Sequence, residues 1–377
     1  MRRDWLGFLI SVILIGSIMS MPSSATAFGT IDSGGQHREH ERITRAALAC
    51  AEGARSNGDC FEPKSIDQLA GHEKTFGGVG APDSDEISDP AAHCDNADFL
   101  SGSYPRTREQ ATAQLMDCVA HLRTRLREGV DSAKDLLNEQ GQIVGDEVGL
   151  DADCTFFGPV PNPAKCDSIE GLGRALHGVQ DFYSHSNWAD EADPSRPIRV
   201  DNPPGMNRPG PSPILNLRGD RAPTVPAELT TGCYVLQDRV PGVGECEERI
   251  THAGLNKDKG IVDPGTGSTT GPTTPRGMVK QNFAKAVAGA TNETRRQWRD
   301  FRSELAARYG KGRASLMICA LTRDDPVQHC QGQQPSSATT NSSKWVVTSV
   351  IIVVAVAVLT AAAFLLRSRR RRRPAGL

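Results

Sequence analysis

Nine histidines in 377 residues is a sparse supply, and only ten lysines stand beside 33 arginines. No two cysteines form a C-x-x-C pair, which argues against a thiolate metal site. The formal charge is −2, so the chain lacks the basic excess that nucleic-acid binders show. No internal repeat is present, and strand signals are few and short. The class expected is therefore mainly α. The bias toward arginine is that of a GC-rich genome and favours a bacterial plasma membrane as the setting.

What the chain does have begins at its ends. Arg2 and Arg3 precede an apolar run from Trp5 to about Met21, closed by Ala25-Thr26-Ala27. A charged n-region, an apolar h-region and an A-x-A site read as a secretory signal over 1–27, cut before Phe28. An uncleaved anchor and a twin-arginine signal are the alternatives. Trp345 to Leu366 is 22 residues without a charge, enough to span a hydrocarbon core of about 30 Å. Arg367 and Arg369 to Arg373 follow, and the positive-inside rule puts the tail, 367–377, in the cytoplasm. The arrangement expected is a single-pass plasma-membrane protein. Its domain, 28–330, lies outside, followed by a polar stalk over 331–344 and a transmembrane helix over 345–366. Anionic lipid explains the basic tail better than DNA does. Between 28 and 343 stand 34 basic and 44 acidic residues, a net of −10, which counts against a nucleic-acid partner.

All ten cysteines lie in the outer domain, and an even count in an exported chain reads as disulfides. Four pairs are close in sequence: Cys50–Cys60, Cys154–Cys166, Cys233–Cys246 and Cys319–Cys330. That leaves Cys94 for Cys118. Helical periodicity marks 37–50, and again the stretch from Arg106 to Gly129 with Leu115, Leu122 and Leu126 on one side. A third helix starts near Asp167 or Ser168 and carries Ile169, Leu172, Leu176 and Val179. The last large helix should run from about Pro275 to Tyr309 and end at Gly310. Proline-dense 194–226 and the low-complexity stretch 262–275 read as irregular.

Two of the nine histidines sit in "ALHGVQDFYSHSNWAD", where His177, Asp181 and His185 stand four residues apart. On a helix each step of four rotates by about 40°, so the three line one stripe beside the apolar face. Imidazole and carboxylate one turn apart can share a zinc ion. A surface salt bridge at the same spacing is the bland reading of any one pair. Other histidines also keep acidic company. His40 opens "HERITRAAL", with His37 a nearby competitor. Asp83, Asp85 and Glu86 precede His93, which Cys94 would pin if bridged and which Asp95 follows. His252 stands six residues before Asp258. His121, mid-helix among leucine and arginines, reads as structural.

The pattern from His177 to Asn187 resembles the fungal heterokaryon-incompatibility C proteins. "FGTIDSGGQHREHERIT", "GAPDSDE…AHCDNADF", "THAGLNKDKG" and "MICALTRDDP" together resemble the secreted bacterial CinY-type proteins. Both groups are similar to the zinc-dependent phospholipase C fold, shared with single-strand-specific zinc nucleases. The resemblance implies a ligand set of Phe28, through its freed amine and carbonyl, with His40, Asp83, His93, His177, Asp181, His185 and His252. It implies one to three zinc ions and Asp83 as the catalytic residue that orients or deprotonates water. Two departures stand out. The interval from Asp181 to His185 is shorter than in the phospholipases. One turn after His252 is Asn256 where an acid is expected, and Asp258 is its possible substitute. The function implied is hydrolysis of phospholipid head-group phosphodiesters. The alternatives are a nuclease-like phosphodiesterase and a non-catalytic surface protein held in shape by zinc and disulfides.

Overall fold

The computed structural model describes residues 28–330 apart from Lys74, Pro159 and 235–245. The stretches read as signal (1–27), stalk (331–344), transmembrane helix (345–366) and tail (367–377) lie outside the described residues. Among those described, no helix is long and apolar enough to cross a membrane.

The fold is mainly helical. In chain order the helices are α1 (Glu39–Leu48), α2 (Pro63–Ala70), α3 (Gly77–Gly80), α4 (Pro82–Asp85), α5 (Arg108–Ser132) and α6 (Gly145–Val148). They continue with α7 (Ala164–His185), α8 (His252–Leu255), α9 (Pro275–Met278), α10 (Asn282–Thr322) and α11 (Pro326–His329). The strands described are β1 (Ile261–Val262) and β2 (Thr269–Thr270), paired antiparallel within the stretch read as low complexity.

Helix α7 is the centre of the packing. Nearly all of its side chains are buried, because α5 covers one flank and α10 another. Leu115, Val119, Leu122 and Leu126 of α5 join Ile169, Leu172, Leu176 and Val179 of α7 in one core. Phe283, Val287, Trp298, Phe301 and Leu305 of α10 complete it. A helix that turns apolar side chains to neighbours on several sides has little choice but to be interior. Helix α5 begins with a capping box, in which Thr107 accepts from the Gln110 amide and Gln110 answers to the Thr107 amide.

Three helix ends differ from the sequence expectation. Helix α7 starts at Ala164, after Pro163, with no side-chain cap, so Asp167 and Ser168 lie within its first turns. The helix expected from Pro275 is broken, because Lys280 and Gln281 take left-handed φ of 42° and 64° between α9 and α10. Gly310, read as a helix end, has φ 77° and ψ 153° and interrupts α10 without ending it.

All five disulfides pair as the spacing indicates: Cys50–Cys60, Cys94–Cys118, Cys154–Cys166, Cys233–Cys246 and Cys319–Cys330. Cys94 therefore ties the loop carrying His93 to α5 at Cys118.

Helix α3 reaches α7 through backbone contact. A Cβ on Gly173 would stand 2.3 Å from the carbonyl carbon of Gly78. Gly173→Ala should therefore lower stability by about 1–3 kcal/mol, the usual range for overpacking, despite the better helix propensity of alanine. Denaturant unfolding checks this, and a midpoint at or above wild type would show that α3 yields freely.

Candidate metal centre

Helix α7 presents His177, Asp181 and His185 as one buried stripe, as the spacing of four requires. Partners arrive from four other places. His40 comes from α1, Asp83 from α4, His93 and Asp95 from the loop after α4, and His252 from the first position of α8. The side chains assemble into three groups: His40, His177 and Asp181; Asp83, His93 and His177; and Asp95, His185 and His252. Within each group the ligand atoms lie within 4.8 Å of one another. His177 belongs to two groups, so the first pair form one continuous centre.

Distances are close and converge on Asp181. His40 Nε2 stands 3.2 Å from Asp181 Oδ1, and His177 Nε2 stands 3.0 Å from Oδ2. His93 Nδ1 lies 3.0 Å from that same Oδ2 and 2.9 Å from His177 Nε2. Asp83 Oδ1 is 3.7 Å from His177 Nε2, and its other oxygen accepts from the Thr30 hydroxyl. In the third group His252 Nδ1 is 2.9 Å from Asp95 Oδ2, and His185 Nδ1 is 3.6 Å from Oδ1.

The second nitrogens show which atom each ring turns to the centre. His177 Nδ1 donates to the Val79 carbonyl at 2.8 Å, leaving Nε2 for a ligand role. His40 Nδ1 contacts Gln180 Oε1 at 2.8 Å, with the Gln180 amide donating to Thr44 and Thr294. That amide orientation makes Oε1 the acceptor and frees His40 Nε2. Ser184 and Asn187, the polar residues on either side of His185 and Ser186, do not orient the rings. Ser184 Oγ has no partner, and Asn187 bonds Thr230, Pro204 and Glu228 backbone groups instead.

Whether these residues fit a metal is answered by their unpaired atoms. His40 Nε2, His93 Nε2, both ring nitrogens of His185, His252 Nε2, Asp95 Oδ1 and Asp181 Oδ1 are buried without a hydrogen bond. Each such atom costs about 1–3 kcal/mol if nothing satisfies it. His40 Nε2 and Asp181 Oδ1 stand 3.2 Å apart yet make no hydrogen bond. Ligand atoms about 2.1 Å from one ion in a tetrahedron stand about 3.4 Å apart. The residues fit a divalent cation.

Protonation follows the same charges. Burial works against a charged His93, but the bond to Asp181 and its charge outweigh it and raise its pKa to about 9. Burial also opposes His40, which the Asp181 charge nevertheless raises. His185 is pushed well down by burial, with His252 adding to the effect, and so is a neutral ligand. Burial alone would raise Asp181, yet the imidazoles of His177 and His40 hold it well below the usual range.

Several expectations change. Neither Asn256 nor Asp258 joins a ligand group: Asn256 Nδ2 donates to Asp258 Oδ2 at 2.8 Å, and the Asp258 amide answers to Asn256 Oδ1. Asp95 supplies that carboxylate instead, a role the sequence reading did not give it. The available signal was its place two residues after His93, next to a cysteine. The stripe on α7 also divides, with His185 serving a different group from His177 and Asp181. His37 is exposed against Asp32 and takes no part, while His121 pairs with Glu86 and Asp89 as a structural residue. Phe28 is fully buried with its ring edge-on to His40 at 5.9 Å, so the start of the domain borders the centre.

A pH test follows. His93 binds its proton more tightly folded than unfolded, so the stability it contributes is complete below pH 6.5 and lost as pH rises through about 9. Asp258, pushed up to about 8 by burial, acts in the same direction. Buried Lys165 and Lys257, lowered to about 7 and about 8 by desolvation, act in the opposite direction, so the His93 part is read as a difference: chelator-treated wild type should lose its thermal advantage over His93→Gln between about pH 6.5 and 9. Melting temperatures of both proteins across this range decide it; a difference that stays constant with pH would contradict the geometry. Comparisons with known protein families, curated proteins and solved structures found no match.

Proposed function

We propose that the chain is a zinc-dependent phosphodiesterase of the phospholipase C kind, held at the outer face of a plasma membrane by residues 345–366. The observation that supports this is the convergence of five histidines and three aspartates from five segments on adjoining centres with unpaired buried ligand atoms. Imidazole and carboxylate with no thiolate suit zinc among divalent ions. Zinc, when bound, supplies charge stabilisation at phosphoryl oxygens and water acidic enough to be hydroxide near neutral pH.

The residues of the chain would do the rest. Among the eight ligand side chains Asp83 is the most open, 13 % exposed against 5 % or less for the others. It is the one carboxylate placed to meet water and substrate together, and the Thr30 hydroxyl fixes its direction. Its role is to orient the attacking water and accept its proton. Val79, Gln180 and Asp95 set the histidine tautomers. Phe28 joins the ligands through its amine if the leader is removed after Ala27. A phospholipid is the preferred substrate, because the net charge of −10 over 28–343 repels a polyanion.

The experiment is direct. Full-length protein in detergent, loaded with zinc, is assayed on phosphatidylcholine and on single-stranded DNA, with a metal count. Turnover of the lipid is expected. Asp83→Asn should lower kcat by about 10²–10⁴ while losing at most one ion. Turnover of DNA alone would move the reading to a nuclease. Metal retained with no turnover on either would support a surface protein held in shape by metal and disulfides.

A further inference from the structure

Asp95 and His252 meet although neither lies within a long helix. The stretch 94–99 has no regular structure, and Cys94 and Asn96 both take positive φ, 55° and 62°. His252 begins a helix of only four residues. Something other than secondary structure must set where these two ligands stand.

Three residues beyond Asp95, the Asp98 carboxylate is completely buried. Arg249, three residues before His252, grips it with a fork: Nε donates to Oδ2 at 2.9 Å and Nη2 to Oδ1 at 2.6 Å. The Tyr104 hydroxyl donates to Oδ2 at 2.6 Å and in turn accepts from the Ile250 amide at 2.7 Å. Arg106 reaches Oδ1 at 3.1 Å and also donates to the Asn96 carbonyl. One carboxylate thus ties the segment bearing Asp95 to the segment bearing His252, each time three residues from the ligand. Paired guanidinium–carboxylate bonds fix direction as well as distance, which a single ammonium cannot do.

We infer that Asp98 is a positioning residue for metal binding by the Asp95, His185 and His252 group, acting through Arg249 and Tyr104. This rests on the metal reading of the centre, and it separates that group from the one built around Asp181. The Asp181 centre draws on α1, α4, α7 and the His93 loop. Loosening the clasp should therefore weaken one class of metal site and leave the other.

The test uses full-length protein in detergent, stripped with chelator and titrated with cobalt(II), read by visible absorption and by calorimetry. Wild type should show more than one class of site. Asp98→Asn should weaken one class by about 10–100-fold, the range for outer partners of metal ligands, and change its cobalt spectrum. Arg249→Lys, which keeps the charge and loses the fork, should weaken the same class less, and Tyr104→Phe likewise. If Asp98→Asn fails to fold, the other two variants carry the comparison. A purely stabilising ion pair would lower the melting temperature with all cobalt classes intact, and that result overturns the inference. Equal weakening of every class overturns it too. A wild-type chain that takes up no cobalt overturns the metal reading itself, and the inference with it.

Discussion

A carboxylate with no access to water dictates the rest of this structure. Asp181 lies near the C-terminal end of α7 with its side chain fully covered, and an isolated buried charge of that kind is prohibitively expensive. The fold answers by bringing three imidazoles to its two oxygens, from α1, from the loop after α4 and from its own helix. Everything that places those rings becomes a condition of stability. The glycine contact between α7 and α3 brings the Val79 carbonyl to His177, and the Cys94–Cys118 bridge fastens the His93 loop. Imidazoles alone satisfy Asp181 incompletely, because His40 Nε2 and Asp181 Oδ1 stay unbonded at close range. A cation between them would meet both atoms at once.

The second centre is built on a different principle. Only His185 comes from a long helix; Asp95 stands in a loop and His252 at the start of a four-residue helix, and the backbone of 230–234 bonds to the segments of both. Asn96 donates to Gly232, the Asn187 amide to Thr230, and Cys233 exchanges hydrogen bonds with Ile250 and His252. Gly232 is required there, since a Cβ would stand 2.3 Å from His252 Cα. The Ser186-Asn187 pair that follows the histidine stripe thus has a scaffolding role: the Asn187 side chain bonds backbone groups of two segments, at Pro204 and at Glu228 and Thr230.

How much of this was legible in the sequence follows from which contacts are local. The stripe of His177, Asp181 and His185 was readable, because helical spacing is local physics, and so were the disulfides and the core side of α5. The division of the stripe was also within reach: eight residues of helix rise about 12 Å, more than one ion spans. The pairing of Asp95 with His252 was not readable, because the two stand 157 residues apart and no periodicity joins them. The breaks at Lys280 and Gln281 escaped for a related reason. Neither residue favours left-handed backbone, so their conformation reflects tertiary contacts of α9 and α10 in place of any preference of their own. Glu191 shows such a contact, accepting from Lys280 and Lys285.

The uneven exposure of the ligands constrains how any substrate can arrive. Seven of the eight side chains are sealed, and only Asp83 opens appreciably to solvent. Asp83 is held by Thr30, and the Gly29 amide beside it is held by Glu39, whose carboxylate also accepts from His37 and Gly260. Burial raises the Glu39 pKa to about 7 against those three backbone donors and its own amide, so its cradle is a compromise between desolvation and hydrogen bonding. The first residues of the domain are therefore coupled to the open edge of the centre through two short chains of hydrogen bonds. A change at Thr30 would be felt at Asp83 first, whereas a change at Phe28 would also be felt in the core. On this reading the start of the domain is a wall of the site, and the cysteine-braced helices behind it exist to keep that wall, the α7 stripe and the His252 turn in register.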